Sequence, residues 1–244
     1  VSQVRDYSDF VSVVFQEVSN FGDKCTEEAI PILNSLLDKG LIDAVYPYSP
    51  DKNIMQQGRG DLNELIKRRI GLDLGRESGC THHMSMDADE LYVKEELKYV
   101  IDEVEKNDHD YSACQMLTYY REPKYILDPP ETYYVALIQK IIPNRTYEFP
   151  IESPVSLDPT RRVHTDNFRA FTRDEIQMHH MSYVRNDLHK KLFNSSAKVN
   201  WENKIPEFIS HWENWKYGDK ALLPGAPPVE YNIVEVEELF SCSQ

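Results

Sequence analysis

Cysteine is scarce in this 244-residue chain. Cys25, Cys80, Cys114 and Cys242 are too scattered to form a CxxC pair, so neither a zinc ribbon nor a disulfide framework is indicated. No apolar run approaches the roughly 20 residues that a spanning helix needs, and no basic segment followed by an apolar one opens the sequence. The expectation is a cytoplasmic protein without a membrane span. Glycine is sparse too, with nine residues and no glycine-rich, basic phosphate loop near Val1. Positive charge is in deficit: 27 basic residues against 41 acidic ones leave a formal charge of -14, which disfavours nucleic acid and anionic membranes as partners. A small anionic ligand then requires a local concentration of bases or a metal.

What is present is a hydrophobic fraction of 41%, ample for a core and within the range of one large α/β domain spanning residues 1–244. Between Tyr7 and Phe21, Phe10, Val11, Val14, Phe15 and Val18 recur at helical spacing, which predicts a helix and leaves no opening strand before Asp6. TEEAIPILNSLLDKG reads as a helix started at Thr26 and ended at Gly40, and LIDAVYPY as the strand after it. PDKNIMQQGRG reads as a loop before a helix capped at Asp61, with Leu62, Leu65, Ile66 and Ile70 inward and Glu64, Lys67 and Arg68 on a solvated face. THHMSMD alternates like a strand, and VKEELKYVIDEVEK is an amphipathic helix. Strands are predicted at Ser112–Tyr120, at Tyr133–Ile142 and in EIQMHHMSYV. NDLHKKLFNSS follows as a helix capped by Asn186 or Asp187, and residues 143–174 read as loops.

This places Asp87, Asp89 and Glu90 where a strand turns towards a helix. Ligands of open α/β sheets bind beyond such strand ends. The acid-x-acid triplet alone carries little, because 41 acids produce roughly seven by chance. Its placement, together with His179 and His180 downstream, suggests an oxygen-and-nitrogen site for Mn²⁺ or Mg²⁺. The plain alternative is a helix start decorated with acids that suit its dipole.

Taken together, NELIKRRIGL, GCTHHMSMDADELY and MHHMSYVRNDLHKKL resemble the nucleotide-sugar glycosyltransferases of the GT-A fold, particularly the family-2-like enzymes of bacteria and large algal viruses. The resemblance implies a Rossmann-like mixed sheet flanked by helices, with approximately residues 1–110 binding the nucleotide sugar and 111–244 binding the acceptor. It implies a UDP-sugar donor, a glycan or glycoprotein acceptor and an inverting transfer, and it admits a virus-encoded enzyme acting in a host cytoplasm. Asp87 and Asp89 would be the DxD pair, with Asp87 on the ribose or a metal-bound water. Asp89 and, from the H-x-S setting, His180 would bind the metal.

Lys67, Arg68, Arg185 and Lys191 are the basic candidates for diphosphate or ribose, since guanidinium forks match phosphate oxygens. Each is otherwise an ordinary surface charge. For the acceptor base the first choice is Asp158, with Asp166, Asp174 and Glu131 as rivals; its plain reading is an Asp-Pro turn opener. Trp201, Trp212, Trp215 and Tyr217 either stack on sugars or build core. A sugar nucleotidyltransferase and a non-catalytic carbohydrate-binding protein are the competing functions.

Overall fold

The computed structural model describes residues 1–24, 29–195, 202–224 and 229–240. Cys25, Thr26, Trp201, Cys242 and the GAPP end of the LLPGAPP loop lie outside the described residues. After a short helix α1 (Ser2–Arg5), strand β1 (Ser12–Gln16) crosses over through helix α2 (Ala29–Asp38) to β2 (Ala44–Tyr48), which runs parallel to β1 with Ser12 opposite Ala44. The helix expected between Tyr7 and Phe21 is therefore a strand; as expected no strand precedes Asp6, and the first one opens at Ser12. Val11, Val13 and Val14 are stiff at χ1 and favour extended backbone, whereas over so short a stretch the spacing of apolar residues fits either period.

Helix α3 (Lys52–Gln56) occupies part of the expected loop because the Asp51 side chain accepts from the backbone N–H groups of Asn53 and Ile54. Helix α4 (Gly60–Glu77) follows. Its cap is Arg59 rather than Asp61; Asp61 lies in the first turn, paired with Arg59 at 2.7 Å, where its charge suits the helix dipole. A Cβ on Gly60 would lie 2.9 Å from Phe21 Cζ, so the loop after β1 packs directly on the start of α4 and a side chain there would force it apart. The strand in THHMSMD shrinks to β3 (His82–His83), and β4 (Glu90–Leu91) follows; the loop between them carries Asp87 and Asp89. Helix α5 (Lys94–Lys106) buries Leu97, Val100 and Val104, as its period predicts.

The remaining strands are β5 (Tyr111–Tyr120), β6 (Glu122–Asp128), β7 (Tyr134–Lys140), β8 (Phe168–Ala170) and β9 (Gln177–Tyr183), with a 3-10 turn at Pro159–Arg161. Helices α6 (Leu188–Asn194) and α7 (Ile205–Asn214) precede β10 (Ala221–Leu223) and β11 (Val229–Glu235). β10, β11, β6, β5, β7 and β3 are neighbours in that order; β8 and β9 run parallel to β5, and β4 pairs antiparallel with β9. The fold is mixed α/β and its main sheet is mostly antiparallel. Among the described residues no helix is long and apolar enough to cross a membrane.

Trp212 and Trp215 join Tyr120, Leu188 and Phe208 in one core cluster, and both indoles donate to backbone carbonyls, so they build core rather than a sugar platform. Tyr217 is exposed and stacks on Tyr125 with ring centroids 5.1 Å apart.

Candidate functional site

Long central strand β5 and its partner β9 set the floor of a cleft. Met116, Met178 and His180 line it together with Tyr133 and Tyr134, while Arg59, Asp61, Glu64, Asp87 and Asp158 close it from the α4 side. Its volume is about 520 Å³, of the size that holds a small-molecule ligand. Strand alternation separates the paired histidines. His179 turns to the opposite face, where its Nδ1 lies 2.9 Å from the Tyr119 hydroxyl and its ring meets Phe240. His180 faces the cleft, and its Nδ1 is buried with no hydrogen-bond partner among the described residues.

Arg68 is not on a solvated face: it is 4% exposed, and all three guanidinium nitrogens are engaged. Nε donates to Thr160 Oγ1 at 3.0 Å, Nη1 to Ser85 Oγ at 3.0 Å and to Asp87 Oδ1 at 3.3 Å, and Nη2 to Glu64 at 2.6 Å and to Asp87 Oδ2 at 3.0 Å, which uses all five N–H groups. So committed, Arg68 positions Asp87 and has no N–H left over for a diphosphate. Beside it is Arg161, 2% exposed, which binds both oxygens of Glu90 at 2.5 and 3.0 Å, Asp87 Oδ2 at 2.7 Å and the Ser85 carbonyl at 3.1 Å. Glu90 in turn accepts from the Asp87 backbone N–H at 3.1 Å, which fixes the turn. Arg161 and the structural role of Glu90 escaped the sequence reading. Their contacts span more than 70 positions, and no local pattern marks them.

Asp87 keeps 38% of its side chain exposed, so it still faces the cleft. Burial opposes its ionisation, but Arg68 and Arg161 outweigh that and hold the carboxyl well below the usual range. Burial pushes Glu90 up against the pull of Arg161. Asp89 points the other way, its Oδ2 accepting from Arg185 Nη2 at 2.8 Å and Lys191 Nζ at 3.0 Å; burial raises its pKa, and Lys191 brings the net shift below the ordinary value. Lys67 makes no contact with Asp87, yet its charge also lowers the Asp87 pKa.

Asp158 has the turn-opening role: Oδ1 accepts from the Thr160 backbone and hydroxyl at 2.8 Å each, and Oδ2 lies 3.4 Å from Arg68 Nη2 and 3.3 Å from Arg161 Nε. Asp166 and Asp174 do not line the cleft. Glu131 accepts from Thr118 Oγ1 at 2.5 Å, and Thr118 is the register partner of His180. Burial raises the Glu131 pKa.

A divalent cation can be tested against these residues. Among the described residues no group of three or more His, Cys, Asp or Glu is arranged to hold a metal ion. Two donors do suit one: the Asp89 carboxylate and the unpartnered His180 Nδ1. That set fits a hard cation bound jointly with an anionic ligand and water, the usual habit of Mg²⁺. The cluster around Asp87 sets four acids (Glu64, Asp87, Glu90 and Asp158) against two bases (Arg68 and Arg161), an excess of two negative charges, whereas Asp89 itself faces two bases, Arg185 and Lys191, so a cation there needs an anionic ligand to arrive with it.

Burial lowers His83, His179 and His180 to about 4 each. His180 is thus neutral at pH 7, and protons compete for it only well below the unperturbed imidazole range of about 6.5. These shifts also predict acid lability. An imidazole with a folded pKa below its unfolded one binds more protons when unfolded, so stability is lost as pH falls from about 6.5 towards 4. Each histidine is expected to remove about 2 kcal/mol between pH 7 and pH 5. Urea midpoints of wild type and His83→Gln measure this. Glu90 and Glu131 act in the opposite sense, and the comparison isolates His83, whose replacement should flatten the slope by one histidine's share. An unchanged slope would contradict it.

No family model, curated protein or solved structure matches this chain.

Proposed function

We propose that the protein transfers a sugar from a nucleotide-sugar donor, with a UDP-sugar as the first candidate, to a hydroxyl of a glycan or glycoprotein on a GT-A-like scaffold, with Mn²⁺ or Mg²⁺ as cofactor. The observation that carries this is Asp87 lining the cleft together with an unpartnered His180 imidazole, with Asp89 two residues on and near enough for its charge to act on His180. Support for the scaffold comes from the β1–α2–β2 unit with its parallel strands; the mostly antiparallel main sheet is unlike an all-parallel Rossmann domain. The cleft takes Arg59, Asp61 and Asp87 from residues 1–110 and Tyr133, Asp158 and His180 from 111–244, which suits a donor half and an acceptor half.

Asp89 and His180 would hold the cation, which supplies Lewis-acid neutralisation of the departing diphosphate. Asp87, oriented by Arg68 and Arg161, offers a fixed acceptor for a ribose hydroxyl or a metal-bound water. Arg185 and Lys191 stand beside Asp89 with positive charge to spare for phosphate oxygens. For the base of an inverting transfer Asp158 remains the candidate that lines the cleft, although its oxygens are engaged by Thr160 and the two arginines; Glu131, whose pKa burial raises, does not line the cleft. A screen of nucleotide sugars for hydrolysis tests the reading without knowledge of the acceptor. Release of nucleoside diphosphate that stops on adding chelator is expected; no release from any donor, or release indifferent to chelator, would overturn it.

A further inference from the structure

Asp89 stands between two charge environments. Its backbone is anchored, because the Asp89 carbonyl accepts from the Met181 N–H at 2.8 Å and the adjoining β4 pairs with β9, Glu90 opposite His180. Its side chain carries two cations on one oxygen, Arg185 from the segment after β9 and Lys191 from α6. Two positive charges on one carboxylate leave one unmatched, and both side chains are partly open to solvent, at 28% and 33%. Long, partly exposed cationic side chains change partner at little cost. The neighbouring cluster around Asp87, by contrast, is rigidly bonded and acid-rich.

We propose, building on the preceding reading, that Arg185 and Lys191 are exchangeable counter-ions. Without ligand they neutralise Asp89; when a divalent cation takes Asp89, they turn to the diphosphate that arrives with it. A cation alone must displace an ammonium and a guanidinium from Asp89 and then sit beside them uncompensated. A diphosphate alone must draw the same two groups away and leave Asp89 bare next to it. Each ligand therefore removes the obstacle to the other, and the coupling is reciprocal. Metal and diphosphate bind as a unit, and the resting site is closed to stray cations.

The experiment titrates Mn²⁺ against the full chain with and without inorganic pyrophosphate, following free Mn²⁺ by its electron spin resonance and subtracting the Mn²⁺ that pyrophosphate holds in the same mixtures without protein. In wild type, pyrophosphate is expected to tighten Mn²⁺ binding by about 5–150-fold, the ordinary range of coupling between sites. In Lys191→Met, Mn²⁺ alone should bind several-fold more tightly than in wild type, and the enhancement by pyrophosphate should shrink. Arg185→Gln should act in the same direction and serves if the first variant does not fold. A merely structural salt bridge would leave metal affinity unchanged or weaker on removal, and that result in a folded variant overturns the exchange. If wild type binds Mn²⁺ and UDP jointly while neither variant gains affinity for Mn²⁺ alone, the exchange fails and the transferase reading stands. If wild type binds no Mn²⁺ with pyrophosphate or UDP, both fail.

Discussion

Replacing Arg161 by methionine is expected to destabilise the protein by about 3–5 kcal/mol, the loss typical of removing one partner from a buried ion pair. Arg161 is 2% exposed and is the guanidinium that meets both oxygens of Glu90, itself 3% exposed, while also holding Asp87. Its loss leaves the two carboxylates with Arg68 and the more distant charge of Lys67 as their remaining bases. Most of the damage comes from the orphaned acids rather than from the missing bond, so Glu90→Gln in the Arg161→Met background should recover part of the loss. Urea denaturation of the two single variants and the double variant gives the coupling directly. A loss under about 1 kcal/mol for Arg161→Met would mean the network behaves as a solvated surface cluster.

The same contacts explain which parts of the architecture were legible in sequence. Helix α5, strands β5 and β9 and helix α6, with its Asp187 cap accepting from the Lys190 N–H, follow from periodicity and capping. Strand alternation puts His179 and His180 on opposite faces, but the choice of His180 comes from the H-x-S setting of the resemblance; the cleft does take His180. Strand β1 does not follow from periodicity, because its valines and phenylalanines satisfy the helical period, and only pairing with β2 decides the matter. In β11 Tyr231 and Ile233 alternate with polar residues and pack on the tryptophan core, a strand pattern too short and too acidic to stand out in sequence. Arg68 was misplaced because a charge at a helical position reads as outward by default, and its burial depends on acids 19 and 90 residues away. The acid turn was visible as a motif. Its bracing by Arg68, Arg161 and Glu90 was not, since ion clusters assembled from distant segments leave no spacing to read.

Asp89→Ala should separate function from folding in the opposite way to Arg161→Met. Among the described residues the Asp89 side chain bonds to the partly exposed Arg185 and Lys191, and such pairs contribute about 0–1 kcal/mol, so the variant should unfold at nearly the wild-type urea concentration. Turnover of a nucleotide sugar should fall by about 10²–10³-fold, the range for losing one stabiliser of developing charge. A variant that unfolds easily yet retains full activity in its folded fraction would make Asp89 structural. The most direct test of the central claim, that Asp89 and His180 hold a divalent cation together with a nucleoside diphosphate, is calorimetric titration of UDP into the wild-type protein with Mn²⁺ and again with chelator. Saturable UDP binding is expected with Mn²⁺ and is expected to be lost with chelator and in Asp89→Ala; equal UDP affinity with Mn²⁺ and with chelator would contradict the shared site.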